Sequence, residues 1–380
     1  MGRAPSVVPS GLTRNRLPFA GALRALATIS IVVYHAGLFA GGAGKIVLPM
    51  WLATLGAFGV ACFFALSGFL LARPYVRSLV QKKRLPDWPG YARDRFLRIY
   101  PLYAVLVIVM WLASPWLPVY GERTATFGDA LTHLAFIFPF FHDSAQTIDP
   151  PMWTMSTDVQ FYFALPLLCA GITDLFTPSR RVRGYAVVVS VLVVLCVLLR
   201  FMATPYAQVS FFDAAARVKV FGQLPGMFTA FGGGMLAALV WESTRDEYRK
   251  RSGLVALAIS VPFLCALTVL PRGVVPLIVW SDVIAGVGAA ALVLAGCSLL
   301  RGAWIENPAV RWAERLSYAI YLTHYFVVEY AARVAGRFQG WNFLCVTAAA
   351  SILVSAAIAL PLYLFVERPF LQLKERLRAG

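Results

Sequence analysis

Two ionisable residues, Arg24 and His35, stand eleven positions apart inside the first apolar stretch of the chain, ALRALATISIVVYHAGLF. Eleven residues at ~100° each amount to about three helical turns plus ~20°. Both side chains therefore project from one helix face, about 16 Å apart along its axis. An ionisable group at the centre of a membrane helix costs roughly 2.5–3.5 kcal/mol, which makes each one a candidate for function. An imidazole can take the proton of a hydroxyl, and a guanidinium can hold a phosphate. The same pair also has a structural reading, in which Arg24 snorkels to the headgroups and His35 hydrogen-bonds a neighbouring helix.

Three further segments carry polar side chains at comparable cost. The stretch FFALSGFLLARPYVRSLVQKKRLPDWPGYARDRFLRIYPLY crowds Arg73, Arg77, Lys82, Lys83, Arg84, Arg93, Arg95 and Arg98 against Asp87 and Asp94. Arg95 and Arg98 are three apart and share a helix face. The cluster either sits on anionic lipid or forms a cradle for the phosphates of a nucleotide-bearing donor, with Arg73, Arg93, Arg95 and Arg98 as its members. The stretch PMWTMSTDVQFYFALPLL holds Asp158, Gln160 and Tyr162. Asp158 is suited to orient an imidazole, or to face water at a helix N-terminus. In RLSYAIYLTHYFVVEY, Ser317, Tyr321 and His324 share a face, as lining of a site or as a polar seam between helices. Asp282 and Glu329 are two more carboxylates in apolar surroundings. His133 and His142 lie in a loop, and no metal site is expected.

The elements that position these groups follow from composition. Of 380 residues, 59% are hydrophobic and only 14% charged, with a mean hydropathy of +0.71. A soluble domain carries about 25% charged residues, so lipid must replace much of the solvent. Apolar runs of spanning length fall near 20–41, 50–72, 99–117, 154–173, 185–203, 218–240, 254–270, 277–299, 316–335 and 342–366. The run 131–141 is too short and reads as a re-entrant or interfacial piece. The first run is too long for a signal peptide and is expected to be retained. With the N-terminus in the cytoplasm, 25 Lys and Arg fall on the inner side and eight on the outer. That asymmetry accounts for the net charge of +16 without nucleic acid. The expectation is an all-α, polytopic transmembrane helix bundle of about ten spans, with both termini cytoplasmic. It forms a single domain over 1–380, with short basic tails at 1–18 and 368–380 and no additional soluble domain. The six cysteines (Cys62, Cys169, Cys196, Cys265, Cys297 and Cys345) sit singly in apolar runs and read as small hydrophobes, not as disulfides. FGGGM at 231–235 lacks the Lys-Ser/Thr of a phosphate loop and reads as close helix packing.

Taken together, these segments resemble the acyltransferase-3 family, bacterial membrane enzymes that O-acylate sugars and other hydroxyl acceptors. The resemblance covers nearly the whole chain. It rests on the spacing of Arg24 and His35, FFALSGFLL at 63–71, RFLRIYP at 95–101, WTMSTDVQFYFALPLL at 153–168, LSYAIYLTHY at 316–325 and VERP at 366–369. It implies a multi-pass enzyme of the bacterial cytoplasmic (inner) membrane that uses acetyl-CoA or another acyl-CoA from the cytoplasm. The implied acceptor is a hydroxyl of a glycan, a glycolipid or a secondary metabolite. Arg24 and His35 match the family's hallmark pair, and Arg98 the arginine of its RxxRIxP segment. Asp158 stands where the family has the first glutamate of a WSLxxEEQFY-type run, with Val159 in place of the second. AGALR at 20–24 stands where it often shows LDGLR, so Gly21 replaces the acidic residue.

On that footing the donor's phosphates are expected on Arg93, Arg95, Arg98 and Arg24, its arm running about 16 Å toward His35. His35 is then the general base, or itself carries the acyl group as an acyl-histidine. Asp158 would orient His35, and Tyr162, Ser317, Tyr321 and His324 would line the acceptor side. Two other classes compete. One is a transporter with a proton relay through Asp158, Asp282, His324 and Glu329, although the chain shows no inverted repeat. The other is a scaffold that binds membrane partners without turnover.

Overall fold

The computed structural model describes residues 17–116, 124–210, 214–269, 275–300, 302, 305 and 307–379. The tail 1–16 and Arg123, Arg272 and Arg301, all part of the charge asymmetry, lie outside them, as does the side chain of Arg217. Among the described residues the chain is helical and without strands. The helices are α1 (Pro18–Gly42), α2 (Met50–Val80), α3 (Trp88–Ala113), α4 (Phe127–Leu134), α5 (Trp153–Leu175), α6 (Arg181–Ser210), α7 (Ala214–Phe221), α8 (Leu224–Ser243), α9 (Asp246–Val269), α10 (Val275–Leu299), α11 (Pro308–Val334), α12 (Gly340–Leu362) and α13 (Arg368–Ala379).

Helix ends are set by local chemistry. Asp87 caps α3 by accepting from the Gly90 amide at 2.7 Å, and Asn307 caps α11 from the Val310 amide at 2.9 Å. Pro18, Pro89 and Pro308 sit in first turns, where a missing N–H costs nothing. Thr126 and Asp129 form a capping box on α4. The run 131–141 therefore becomes a short helix and a 3₁₀ turn over Phe138–Phe140, not a span.

Among the described residues nine helices are long and apolar enough to cross a bilayer. They account for nine of the ten expected spans. The tenth, α11, has the length but not the apolarity, because charges mark its ends and a polar stripe runs along its middle. Ser317, Tyr321, His324 and Val328 are buried within the bundle, so protein rather than lipid surrounds that stripe. By contrast α6 and α9 expose Val187, Leu198, Phe201, Leu254 and Ile259, an apolar surface suited to acyl chains. The protein is a multi-pass membrane protein.

Helices α2 and α8 pack backbone against backbone. A Cβ on Gly68 would stand 2.1 Å from the Phe231 carbonyl oxygen, and one on Gly234 would stand 2.2 Å from that of Ala65. The glycine run of α8 is a packing surface, as its sequence predicts. Cys62, Cys169 and Cys297 are buried, while Cys265 and Cys345 are exposed on α9 and α12; all six are reduced.

Helix directions alternate. The start of α1, the end of α2 and the starts of α3 and α11 meet at one end, called the basic end below. There Arg73 and Arg77 share the carboxylate of Glu242, at 2.8–3.1 Å. The basic tail 368–380 is not an extended segment. A π-helical turn, Tyr363–Glu367, leads from α12 into α13, which packs against α3.

Candidate functional site

Arg24 and His35 lie on α1 as the spacing predicts, but they open into different cavities. The first, of about 130 Å³, lies toward the basic end and is lined by Arg24, Ser67, Arg95, Arg98, Asp158, Tyr162, Ser317 and Tyr318, among others. The second, of about 430 Å³, is lined by Tyr34, His35, Trp153, Arg200, Asp282 and Tyr325, with apolar residues between. Val60, Thr154 and Tyr321 line both, so they form the wall between them. Thr154 Oγ1 and the Tyr321 hydroxyl are 2.6 Å apart across that wall, and both lie within reach of the Pro151 carbonyl oxygen, at 3.1 and 2.9 Å, so that one hydroxyl donates to the other and the other to the carbonyl.

Three guanidinium groups supply the charge of the first cavity. Arg98 Nη1 is 2.5 Å from Oε1 of Glu367, the glutamate that the π-helical turn presents. Arg24 Nη1 is 3.8 Å from Glu314 Oε1. Arg95 lies with its guanidinium 5.9 Å from the Tyr91 ring centre. Asp158 is buried with Oδ1 unsatisfied. The Ser67 and Tyr162 hydroxyls approach its carboxylate, and Arg24 and Arg95 are its cationic neighbours.

Two sequence expectations need correction. Asp158 does not orient His35. It lies four residues after Thr154, one turn nearer the basic end, and so faces the arginines. Nor do all four loop arginines form the phosphate cradle. Arg73 is held by Glu242 and Arg93 lies 3.8 Å from Asp94, and neither lines the cavity. Arg95 and Arg98 do line it, with Arg24. Tyr162 and Ser317 belong to this same cavity, Tyr321 to the wall, and His324 to the surroundings of His35.

The partner of His35 is His324. His324 Nε2 is 3.0 Å from His35 Nδ1, and His324 Nδ1 is 2.6 Å from the Tyr321 carbonyl oxygen. A carbonyl only accepts, so the proton of neutral His324 is on Nδ1 and its Nε2 is a lone pair. His35 Nδ1 must then donate, which leaves His35 Nε2 with a lone pair. The tautomer is assigned from the hydrogen bonds. Tyr325 fixes the ring from the side, with centroids 4.8 Å apart. The arrangement holds an imidazole ready to take a proton at one defined nitrogen.

The carboxylates that would form a transporter's relay are dispersed. Asp282 closes on Arg200 and Glu329 on Arg333 at 2.5 Å, each in its own ion pair. Sequence reasoning missed Glu314, Glu367, Ser67 and Thr154. Glu314 precedes Ser317 by three and continues the face of Ser317, Tyr321 and His324, so a signal for it existed. Glu367 stood inside the quoted VERP, but its partner, 269 residues away, left no local trace.

A family model of the acyltransferase-3 type, described as an acyltransferase domain, matches residues 18–360. The acyltransferase MdmB of Streptomyces mycarofaciens is 28% identical over 96% of this chain and 94% of its own length. The peptidoglycan O-acetyltransferase OatA of Listeria monocytogenes is 24% identical over 94% of this chain and 56% of its own. The O-acetyltransferase OatA of Staphylococcus aureus is 23% identical over 51% of this chain and 32% of its own. The chain thus spans most of the first relative and about a third to a half of the two O-acetyltransferases. No solved structure matches it significantly.

Proposed function

The chain belongs to the acyltransferase-3 family of membrane acyltransferases, and from that premise we propose that it moves an acyl group, preferably acetyl, from cytoplasmic acyl-CoA to a hydroxyl of a sugar-bearing acceptor. The observation that carries this reading is the pair of cavities separated by one wall, with the arginines on one side and His35 on the other. The basic end is the cytoplasmic one by the charge asymmetry. The donor's phosphates rest at its mouth on Arg95 and Arg98, and the pantetheine arm follows the first cavity past Arg24. The thioester arrives at the wall of Thr154 and Tyr321. The acceptor enters the second cavity, where Tyr34, Trp153 and Tyr325 offer aromatic faces to a sugar ring, and Arg200 and Asp282 offer polar groups.

His35 Nε2 takes the acceptor's hydroxyl proton as that oxygen attacks the thioester carbonyl carbon. The C–S bond then breaks, and the thiolate leaves with the proton that His35 received. The products are the O-acyl ester and coenzyme A thiol, with His35 neutral again. His324 keeps His35 in the required tautomer throughout. The relatives' printed names support an O-linked acetyl product, and one of them names peptidoglycan as acceptor.

The test uses the purified full chain in nanodiscs with radiolabelled acetyl-CoA, for wild type and the Arg24→Ala, His35→Ala and Arg98→Ala variants. Thioester turnover should fall by about 10²–10⁴-fold in the histidine variant. Donor binding should weaken in the arginine variants. Wild-type turnover undiminished in His35→Ala would remove the histidine from the chemistry. Covalent labelling of His35 would replace direct transfer with an acyl-histidine.

A further inference from the structure

The last helix, α13, lies along the start of α3 and turns a basic face toward it. Arg378 closes on Asp94, its Nε 2.6 Å from Oδ2. One turn earlier, Lys374 is half-buried. Its ammonium is repelled by Arg95, Arg378 and Arg98 and attracted by Asp94. Asp94 and Glu367 are each engaged through one oxygen, Asp94 by Arg378 and Glu367 by Arg98, and Asp158 lies on the cavity side of Arg95. Among the described residues, Lys374 and Arg95 are left without an ion-pair partner, and the buried Arg95 Nε has no hydrogen-bond acceptor. Half-buried like charges facing one another repel more strongly than they would in water. A ligand that brings several negative charges to this spot removes that cost, and phosphates suit such a cluster best.

We propose that α13 completes the donor site, with Lys374 and Arg95 together binding a phosphate at the end of the donor furthest from its thioester. Arg95 lines the first cavity; Lys374 does not line it, and is a charge neighbour of Arg95 from α13, which packs on α3. In coenzyme A the group at that far end is the ribose 3′-phosphate. The inference rests on reading the first cavity as the donor's. The phosphate of an anionic lipid has the same chemistry. Because α13 exposes Phe370, Leu373 and Leu377, it lies where lipid headgroups are within reach.

Calorimetric titration of the full chain in nanodiscs tests this with coenzyme A, 3′-dephospho-coenzyme A and pantetheine as ligands. Lys374→Gln should weaken coenzyme A binding about tenfold and leave 3′-dephospho-coenzyme A unchanged. Arg98→Ala should weaken both phosphorylated ligands, and Lys374→Arg should restore the wild-type preference. Equal binding of the first two ligands by wild type, or an equal loss for both in Lys374→Gln, would overturn the assignment while leaving the donor reading standing. No binding of coenzyme A by wild type would overturn the donor reading and this inference with it. The titrations are repeated in phosphatidylcholine nanodiscs with and without phosphatidylglycerol. A Lys374→Gln effect confined to the anionic bilayer would identify a lipid phosphate as the ligand and overturn the proposal.

Discussion

Gly21 and Glu314 occupy the same space. A methyl group on Gly21 would sit 2.5 Å from the Glu314 carboxyl carbon and from Oε2, and the same carboxylate reaches Arg24 at 3.8 Å. Where the family often has an acidic residue one turn before the arginine, this chain has none. It supplies the negative charge from α11, through the gap that the missing side chain leaves. The departure in AGALR is therefore matched by a second residue in space.

The exchange is testable. Gly21→Ala should push Glu314 off Arg24 and lower thioester turnover by roughly tenfold, since a side chain that binds charge loses its orienting partner. Gly21→Asp combined with Glu314→Ala should recover most of that loss. A double variant no better than Gly21→Ala alone would show that the site needs the glycine's space and not the carboxylate. Turnover with acetyl-CoA measures the first effect, and the thermal midpoint separates it from unfolding.

His324 holds the tautomer of His35 and touches no substrate in the proposed mechanism. His324→Leu should lower kcat at least roughly tenfold with little change in donor KM, because a wrongly protonated base is bound but idle. His324→Gln can still accept from His35 Nδ1, so it should fall between the two. Equal activity in Leu and wild type would dissociate His35 from its neighbour.

The ion pair of Arg98 and Glu367 predicts a stability effect opposite to that of a surface pair. The Glu367 side chain is 1% exposed, and removing one partner of a buried pair costs about 3–5 kcal/mol. Glu367→Ala should lower the thermal midpoint more than the combined Arg98→Met, Glu367→Leu replacement. Only the double replacement removes Arg98 and with it donor binding, which a coenzyme A titration reads separately.

A fourth prediction concerns pH. His133 lies outside the spans, buried and stacked on Phe138, and burial pushes its pKa down to about 4. In the unfolded chain the group titrates near 6.5. Between those values the unfolded state binds the extra proton, so stability is fully present above pH 6.5 and is lost as pH falls toward 4. The loss is of the order of 3 kcal/mol. His133→Phe should flatten that slope in thermal melts taken from pH 7 to 4, and an unchanged slope would assign it to other groups.

Much of this was legible in the sequence. Apolar run lengths located the spans, and the glycine run at 231–235 was legible as a close-packing surface, though its partner α2 was not. The Arg24–His35 register placed both side chains on α1 about three turns apart, where they line the two cavities. The boundaries that failed were those where polarity misleads. The α11 helix is too polar for a lipid-facing span, yet it contributes Tyr321 to the wall of the site. The span expected at 218–240 divides into α7 and α8 near Gly222. The pairing of His35 with His324 instead of Asp158 could not be read, because depth along α5 and α11 depends on how helices slide past each other. Glu367 found Arg98 only through a π-helical turn, which leaves no periodic signature.

The hydroxyl pair of Thr154 and Tyr321 has an electrical consequence. On the proposed assignment of one cavity to the donor and the other to the acceptor, only the wall of Val60, Thr154 and Tyr321 separates the two approaches. A coupling membrane stores about 2.3 kcal/mol per charge per 100 mV, and a continuous file of water through the protein would dissipate it. On the proposed function, that wall of Val60, Thr154 and Tyr321 would let an uncharged acyl carbon be handed across while excluding a continuous file of water. On the same reading, the two residues that bring donor and acceptor within reach would also be the insulator between them.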